Sequence, residues 1–325
     1  MSDVLLTTQV GSLPKPDYLL RARSAFARGE ISREELRDLE RRATREWVEF
    51  QNEIGIDVVV DGEQYRGDMV AFFAEELEGF SRGGLVRSYG NRYYRKPIIT
   101  GPIRRTHPIT VEWWSYASSL TDRPVKGMLT GPYTIRDWSF DEHYDTRRDA
   151  VLALAEAIRD EAVALQEAGA EYIQIDEPAV STRMDELDLA IEALGVVTEP
   201  LSVHTITHIC YGDFHNAYPR MLDLPVDQID LELTNSDFDL LDRFAEHPFT
   251  KSIGLGVVDV HSHRIETVDE VVKGIERTLE VIPPGRVYVD PDCGLKTRTV
   301  EEAKDKLRVV VEGARRVRSR LGIDP

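Results

Sequence analysis

Two side chains near the middle of the chain are spaced to bind one metal ion together. His208 and Cys210 lie at the end of a β-branched, strand-like run that begins at Ser202. Successive side chains of a strand point to opposite faces, so positions two apart share a face and can reach the same ion. An imidazole and a thiolate are both good ligands for zinc. The spacing therefore predicts half of a zinc site.

Two further candidate ligands lie at the ends of other strand-like runs. Glu232 closes the run 229–232, and Cys293, the second of two cysteines, follows the run 286–289. A carboxylate oxygen and a second thiolate would complete the tetrahedral set that zinc prefers. A lone cysteine beside a strand is usually a small buried apolar residue. Taken together, however, the four residues predict a Zn2+ site formed by His208, Cys210, Glu232 and Cys293.

The elements that must position these residues alternate between strands and helices. We predict eight strands, at residues 5–10, 57–61, 125–130, 171–175, 202–208, 229–232, 252–258 and 286–289. A hydroxyl residue followed three positions later by Glu predicts helices that begin after Ser32, Thr267 and Thr299, and a further helix covers 146–168. Eight strands alternating with helices are typical of a (β/α)8 TIM barrel. We therefore expect an α/β protein with one barrel domain over residues 1–325.

Polar residues gather where the predicted strands end. They are Ser12, Glu63, Asp176, His208, Cys210, Glu232, His261 and Cys293. The carboxyl ends of the strands carry the active site in barrels of this kind. Simpler interpretations exist for three places: Asp176-Glu177-Pro178 could be a helix-entry turn whose carboxylate acts as a cap, Glu63 could be a solvated loop acid, and His261 could lie in an exposed loop.

Composition excludes several classes of protein. The formal net charge of −18 argues against sequence-independent nucleic-acid binding, which needs Lys and Arg to neutralise phosphates. Two cysteines do not make a secreted disulfide framework. No segment is apolar enough to span a bilayer, and the N-terminus lacks the features of a signal peptide. We expect a cytoplasmic protein without a nucleic-acid or membrane partner.

Several longer segments carry a resemblance to a known family. They are Val10-Gly11-Ser12-Leu13-Pro14, Asp61-Gly62-Glu63, Asp68-Met69-Val70, Lys126-Gly127-Met128-Leu129-Thr130-Gly131-Pro132, Trp138-Ser139-Phe140, Gln174-Ile175-Asp176-Glu177-Pro178-Ala179, Thr207-His208-Ile209-Cys210-Tyr211, Asp259-Val260-His261-Ser262 and Pro291-Asp292-Cys293-Gly294-Leu295-Lys296-Thr297-Arg298. Along almost its whole length, the chain resembles the C-terminal, catalytic barrel of cobalamin-independent methionine synthase.

The resemblance implies an enzyme that forms methionine by methyl transfer to the zinc-activated thiolate of homocysteine. The positions that match the family's zinc ligands are the four named above. It further implies that Ser12, with Gly11 beside it, Glu63 and Asp176 hold the amino-acid end of homocysteine. Trp138 would pack against the folate donor. His261 would handle a proton during transfer, and a carboxylate such as Asp176, acting through water, is the other catalytic candidate.

The methyl donor is left open by the sequence. Long members of the family have a second, N-terminal barrel that helps to bind a polyglutamylated folate, and the given sequence has none. The donor could therefore be a 5-methyl folate or a methyl-corrinoid, the latter presented by a corrinoid protein. The stretch 83–103, which we interpret as an excursion from the barrel rim, is rich in Tyr, Arg and Lys at 89–96 and could dock such a partner.

Two other functions are alternatives to methionine formation. A zinc-dependent enzyme of the same fold that opens epoxides with coenzyme M would also use a zinc-bound thiolate. It would have no reason to keep Glu63 and Asp176 for an amino-acid ammonium group. A non-catalytic zinc-binding or methionine-binding module is the third possibility, and the intact ligand set together with His261 argues against it.

Overall fold

The computed structural model describes residues 4–87, 93–210 and 214–323. Contacts between residues divide the chain into two compact units. The first unit consists of Met1–Tyr65, Tyr116–Lys126 and Asp230–Pro325, and the second of Arg66–Ser115 and Gly127–Ile229. The single domain over residues 1–325 stays a prediction.

The helices and strands follow one another in the alternating order that the sequence predicts. The α-helices are α1 (Asp17–Ala27), α2 (Arg33–Ile54), α3 (Met69–Glu76), α4 (Val111–Ser118), α5 (Pro132–Asp137), α6 (Arg147–Glu167), α7 (Leu187–Thr198), α8 (Phe214–Ala217), α9 (Leu241–Glu246), α10 (Val268–Leu279) and α11 (Val300–Arg320). The strands are β1 (Glu78–Ser81), β2 (Leu85–Arg87), β3 (Tyr93–Arg95), β4 (Ile98–Arg104), β5 (Lys126–Thr130), β6 (Phe140–Asp141), β7 (Tyr172–Asp176), β8 (His204–Ile209), β9 (Gln228–Leu231), β10 (Ser252–Gly256) and β11 (Val287–Asp290).

In the first unit, strands that precede predicted site residues in the chain run parallel. Strand β10 pairs with β11 in a register that places Ile253 opposite Val287. Thr7 forms a parallel bridge with Val289, and Val59 forms one with Val125. The predicted strands 5–10 and 57–61 are thus reduced to single bridges, and their prediction as full strands was wrong.

The side chains of Gln51 and Asp57 explain why these strands are so short. Gln51 of α2 donates a hydrogen bond from Nε2 to the carbonyl of Val60 at 2.8 Å and accepts one from its N–H at 3.0 Å, so a side chain serves both backbone groups. The carboxylate of Asp57 likewise accepts the N–H of Thr7 at 2.8 Å. Backbone groups satisfied by side chains are not available to a strand ladder.

The second unit combines a parallel pair with antiparallel strands. Strand β7 pairs with β8 in parallel. Strands β1, β4 and β6 form a three-stranded sheet in the order β1-β4-β6, and β2 and β3 form an antiparallel hairpin. The predicted excursion at 83–103 therefore includes a hairpin and most of β4. Residues 88–92, which hold part of that excursion, lie outside the described residues.

The predicted helix starts are confirmed. Ser32, Thr267 and Thr299 each accept a hydrogen bond from the N–H of the glutamate three positions later, and that glutamate bonds back to the backbone of the cap residue. Thr146 caps α6 through the N–H of Asp149. Such caps satisfy N–H groups that have no partner inside the helix.

The helices of the first unit cover its strands with apolar side chains. Trp47 of α2, Ile275 of α10 and Leu307 of α11 are buried, as are Val289 and Leu255 of the strands. Among the described residues, no helix is long and apolar enough to cross a membrane. Parallel strands that alternate with helices confirm the α/β class, whereas the closed eight-stranded barrel stays a prediction.

Candidate metal and substrate site

The four predicted zinc ligands are divided between the two units. His208 and Cys210 belong to the second unit, and Glu232 and Cys293 belong to the first. Each lies at or just beyond the end of a strand: His208 and Cys210 at the end of β8, Glu232 after β9 and Cys293 after β11. An imidazole, two thiolates and a carboxylate are all ligand types that zinc accepts.

Strand β8 positions His208 and Cys210. The strand ends at Ile209, and both residues are buried. The carbonyl of His208 accepts a hydrogen bond from the N–H of Glu177 at 3.1 Å, which fixes the backbone at this point. Tyr211, the last residue of the matching segment, lies outside the described residues.

Glu232 is paired with His261 inside the first unit. It follows β9 and is buried, and its Oε1 lies 3.3 Å from Nε2 of His261. Asn235 donates a hydrogen bond to the same carboxylate oxygen. The hydrogen bond to Glu232 raises the pKa of His261, and the charges of Glu232, Asp259 and Cys293 act in the same direction against a lowering by burial. The structure thus pairs the predicted proton carrier with the predicted carboxylate ligand.

Asp292, the residue before Cys293, is bonded to the segment that follows Glu232. Its Oδ1 accepts the N–H groups of Leu233 at 3.1 Å and Thr234 at 3.3 Å, and its Oδ2 accepts the Thr234 hydroxyl. The pKa of Asp292 is raised to about 7, mainly by burial. The charge of Glu232 also raises this pKa, whereas the hydrogen bonds from Thr234 and Leu233 lower it.

The first unit also brings the predicted amino-acid-binding residues together. A Cβ built on Gly294 would lie 3.0 Å from the backbone nitrogen of Ser12, so the residue after Cys293 packs directly on Ser12. The N–H of Leu13 donates to the carbonyl of Gly62 at 3.1 Å, which places Glu63 near the same turn. Ser12 and Glu63 are both buried.

Glu63 is therefore not a freely solvated loop acid. Its backbone has a φ of 54°, in the left-handed region, and its N–H donates to Oδ1 of Asp61 at 2.8 Å. The Nζ of Lys15 donates to the Glu63 carbonyl at 3.3 Å. Gly11 lies one residue before Ser12, where a Cβ would be 3.6 Å from the Cα of Gly294.

In the second unit, Asp176 and Glu177 follow β7 and play different parts. Asp176 is half-buried and accepts a hydrogen bond from Nε2 of Gln174 at 2.7 Å. Glu177 is fully buried, and its carboxylate accepts the N–H groups of Tyr133 at 3.0 Å and Thr134 at 2.8 Å and the Thr134 hydroxyl at 2.6 Å. A carboxylate of this motif does cap a helix, but the helix is α5 and the acid is Glu177 rather than Asp176.

Trp138 ends α5, the helix that Glu177 caps. Its N–H donates to the carbonyl of Thr134 at 3.0 Å, and its side chain is half-buried. The second unit thus connects Trp138, Asp176 and His208 through one short helix and one buried acid.

Comparison with known proteins identifies the family. Residues 5–316 match the family described as cobalamin-independent synthase, catalytic domain. The chain belongs to this family. The resemblance seen in the sequence is thereby confirmed.

The chain is similar to two longer proteins and to a protein of solved structure. The chain is 40% identical over 98% of its length to 5-methyltetrahydropteroyltriglutamate–homocysteine methyltransferase from Streptococcus thermophilus, and 42% identical over 97% of its length to the protein of that name from Mycobacterium leprae. It spans 44% and 43% of those two relatives. It is also similar to a B12-independent methionine synthase from Shewanella sp. W3-18-1, solved with selenomethionine, with a TM-score of 0.87, 29% identity and coverage of 98% of this chain and 99% of that one.

Sequence reasoning missed two buried acids that bond to segments next to predicted site residues. Glu177 and Asp292 stand directly beside the predicted site residues Asp176 and Cys293. Each follows an apolar strand, which was a usable signal. Their bonding partners, however, lie 43 or 44 and 58 or 59 positions away, and no local pattern indicates such pairs.

Proposed function

We propose that this chain transfers a methyl group to the thiol of homocysteine and so forms methionine, with a zinc ion bound by His208, Cys210, Glu232 and Cys293. The observation that carries the proposal is the match to the synthase family over residues 5–316, in a chain whose strand β8 ends with the imidazole of His208 and the thiol of Cys210. The names of its relatives support homocysteine as the acceptor.

The donor set suits zinc rather than a harder cation. Two thiolates and an imidazole are soft or borderline ligands that select Zn2+, whereas Mg2+ and Ca2+ prefer oxygen. Bound zinc would hold the homocysteine thiol, a group with an ordinary pKa near 8.5, as the nucleophilic thiolate at neutral pH. The carboxylate of Glu232, paired with His261 and Asn235, would complete the ligand set.

The acids near the site would recognise the amino-acid end of homocysteine. Ser12 and Glu63 lie at one turn of the first unit, against the segment that carries Cys293. Glu63 and Asp176 would accept hydrogen bonds from the substrate ammonium group, since charge-assisted bonds of this kind are strong in a buried site. Gly11 and Ser12 would offer backbone N–H groups to the carboxylate. This arrangement favours an amino-acid thiol over coenzyme M.

His261 would supply the proton that the departing donor needs. A tertiary amine leaves poorly unless it is protonated, and a positioned imidazolium is a suitable general acid. The bond to Glu232 orients the ring through Nε2 and favours its protonated form. Asp176, acting through a water molecule, is the second candidate for this role.

A 5-methyl folate is the donor that the comparisons favour. The relatives from S. thermophilus and M. leprae are named for 5-methyltetrahydropteroyltriglutamate. Trp138, at the end of α5, would pack against the pterin ring. Nothing in the comparisons supports a corrinoid protein as donor. We further propose that the parallel strands close into a (β/α)8 barrel that forms one domain over residues 1–325.

The experiment is methionine formation by purified, zinc-loaded protein from homocysteine. Methyltetrahydropteroyltriglutamate, its monoglutamate form and free methylcobalamin are offered separately, and protein stripped of zinc is the control. Product from the triglutamate, lost on stripping and regained with zinc, is expected. Product from methylcobalamin alone would contradict the folate donor, and no product from any donor would contradict the function.

A further inference from the structure

Asp292 joins the chain segments that carry two of the proposed zinc ligands. It is fully buried and directly precedes Cys293. The three hydrogen bonds to its carboxylate come from Leu233 and Thr234, the two residues that directly follow Glu232. One side chain therefore fixes the distance between the backbone at Cys293 and the backbone at Glu232.

The end of β10 is shaped around the same carboxylate. A Cβ on Gly256 would lie 2.2 Å from Oδ1 of Asp292 and 2.8 Å from the carbonyl oxygen of Leu231, so only glycine fits there. The N–H of Asp292 also donates to the carbonyl of Val258 at 3.1 Å. Asp292 lies in the segment after β11. Its hydrogen bonds therefore connect that segment to the segments that follow β9 and β10.

We propose that Asp292 is a positioning residue that sets the separation of Glu232 and Cys293 for the metal ion. The inference rests on the proposed zinc site. Groups that orient metal ligands from outside contribute to affinity because they remove the freedom of the ligands to move apart, and their loss typically lowers metal affinity about 10- to 100-fold. Asp292 acts on the backbone that carries the ligands and does not bind the ion itself.

Asp57, another aspartate of the first unit, makes nearly the same hydrogen bonds, but its partners do not adjoin a proposed zinc ligand in the sequence. Oδ2 of Asp57 accepts the N–H and the hydroxyl of Thr7, both at 2.8 Å, as the carboxylate of Asp292 accepts those of Thr234. Its third partner is Arg318 in the last turn of α11. Asp57→Asn is therefore a matched control, since it perturbs the same kind of bond with no effect expected on the metal.

The test compares zinc affinity, measured by competition with a chromophoric chelator, for wild type, Asp292→Asn, Thr234→Val and Asp57→Asn. The melting temperature of each zinc-free protein is measured alongside. We expect about 10- to 100-fold weaker zinc binding for Asp292→Asn. Thr234→Val, which removes one hydrogen bond, should weaken binding about 2- to 10-fold. Asp57→Asn should stay within about twofold of wild type even where its melting temperature falls.

The outcomes separate this inference from the zinc site on which it rests. Wild type that binds no zinc would overturn the metal site. Wild type that binds zinc, with Asp292→Asn and Thr234→Val binding equally well, would overturn the positioning role alone. Equal losses of affinity in Asp57→Asn and Asp292→Asn would show a general effect of stability and would also overturn it. Thr234→Val keeps the test valid if Asp292→Asn fails to fold.

Discussion

Glu177 of the second unit and Asp292 of the first are buried acids that are built alike. Each accepts hydrogen bonds from two backbone N–H groups and one threonine hydroxyl. Each lies against a glycine that has no room for a Cβ, which would be 2.2 Å from Oε1 of Glu177 at Gly131 and 2.2 Å from Oδ1 of Asp292 at Gly256. Burial raises the pKa of both to about 7.

The two acids differ in what their donors belong to. The donors of Glu177 are Tyr133 and Thr134, in the first turn of α5, where N–H groups lack partners inside the helix. The donors of Asp292 follow Glu232, a proposed zinc ligand. The same chemistry can therefore stabilise a helix end or position a metal ligand, and the location of the donors decides which.

Among these variants, loss of a proposed zinc ligand should weaken zinc binding the most. Its effect is the reference against which the effects at Glu177 and Asp292 are compared. Cys293→Ser should weaken zinc binding by more than about 100-fold, since a direct ligand contributes more than the groups that orient it. Methionine formation should fall to background. Zinc content after dialysis and the rate of methionine formation are the measurements. A variant that kept its zinc and its activity would remove Cys293 from the site.

Adding a methyl group beside each acid should separate their roles. Gly131→Ala and Gly256→Ala both force a Cβ into the space of a carboxylate, and such overpacking costs roughly 1–3 kcal/mol of folding stability. Gly256→Ala should weaken zinc binding more than Gly131→Ala, because it displaces Asp292, whereas Glu177 contacts His208 only through its backbone N–H. Urea unfolding and chelator competition measure the two effects. Equal zinc affinities in the two variants would contradict the different roles assigned to Glu177 and Asp292.

The pH dependence of stability tests whether Glu177 binds its proton more tightly in the folded chain. Burial raises the pKa of Glu177 from 4.5 to about 7, so its contribution to stability is fully present below the lower value and is lost as the pH rises through the higher one. Glu177→Gln removes this dependence.

The unfolding free energy of wild type, measured relative to that of Glu177→Gln, should therefore fall as the pH rises. Between these two pKa values the relative unfolding free energy should fall by up to about 1.4 kcal/mol for each pH unit. Urea titrations at several pH values measure it. A difference that stays constant with pH would show that Glu177 has the same pKa in both states.

The smallest effect is expected from a single hydroxyl. Thr134→Val removes the Thr134 hydroxyl that donates to Glu177 at 2.6 Å while it keeps the shape of the side chain. The loss of one hydrogen bond should lower stability by about 0.5–1.5 kcal/mol and leave zinc affinity unchanged. Thr234→Val is its counterpart at Asp292. If Thr134→Val weakened zinc binding as much as Thr234→Val, the two acids would serve one purpose.

Local patterns were enough to predict most elements of the fold. The capping boxes at Ser32, Thr267 and Thr299 begin helices where predicted, because the cap and its glutamate are only three positions apart. Six of the eight predicted strands are strands in the structure. The other two failed because the side chains of Gln51 and Asp57 bond to backbone groups that a strand would use.

By itself, the sequence determined the α/β class, the family and the identity of the candidate ligands, because strand periodicity and contiguous motifs are local properties. Tertiary structure alone decided that His261 pairs with Glu232 and that Glu177 caps α5. It also decided that Asp292 holds the segment after Glu232. The physical reason is distance along the chain. A buried carboxylate accepts hydrogen bonds from whichever donors the fold places beside it, and here those donors lie dozens of residues away. Helix and strand periodicity relate only neighbouring positions, so they do not indicate such pairs.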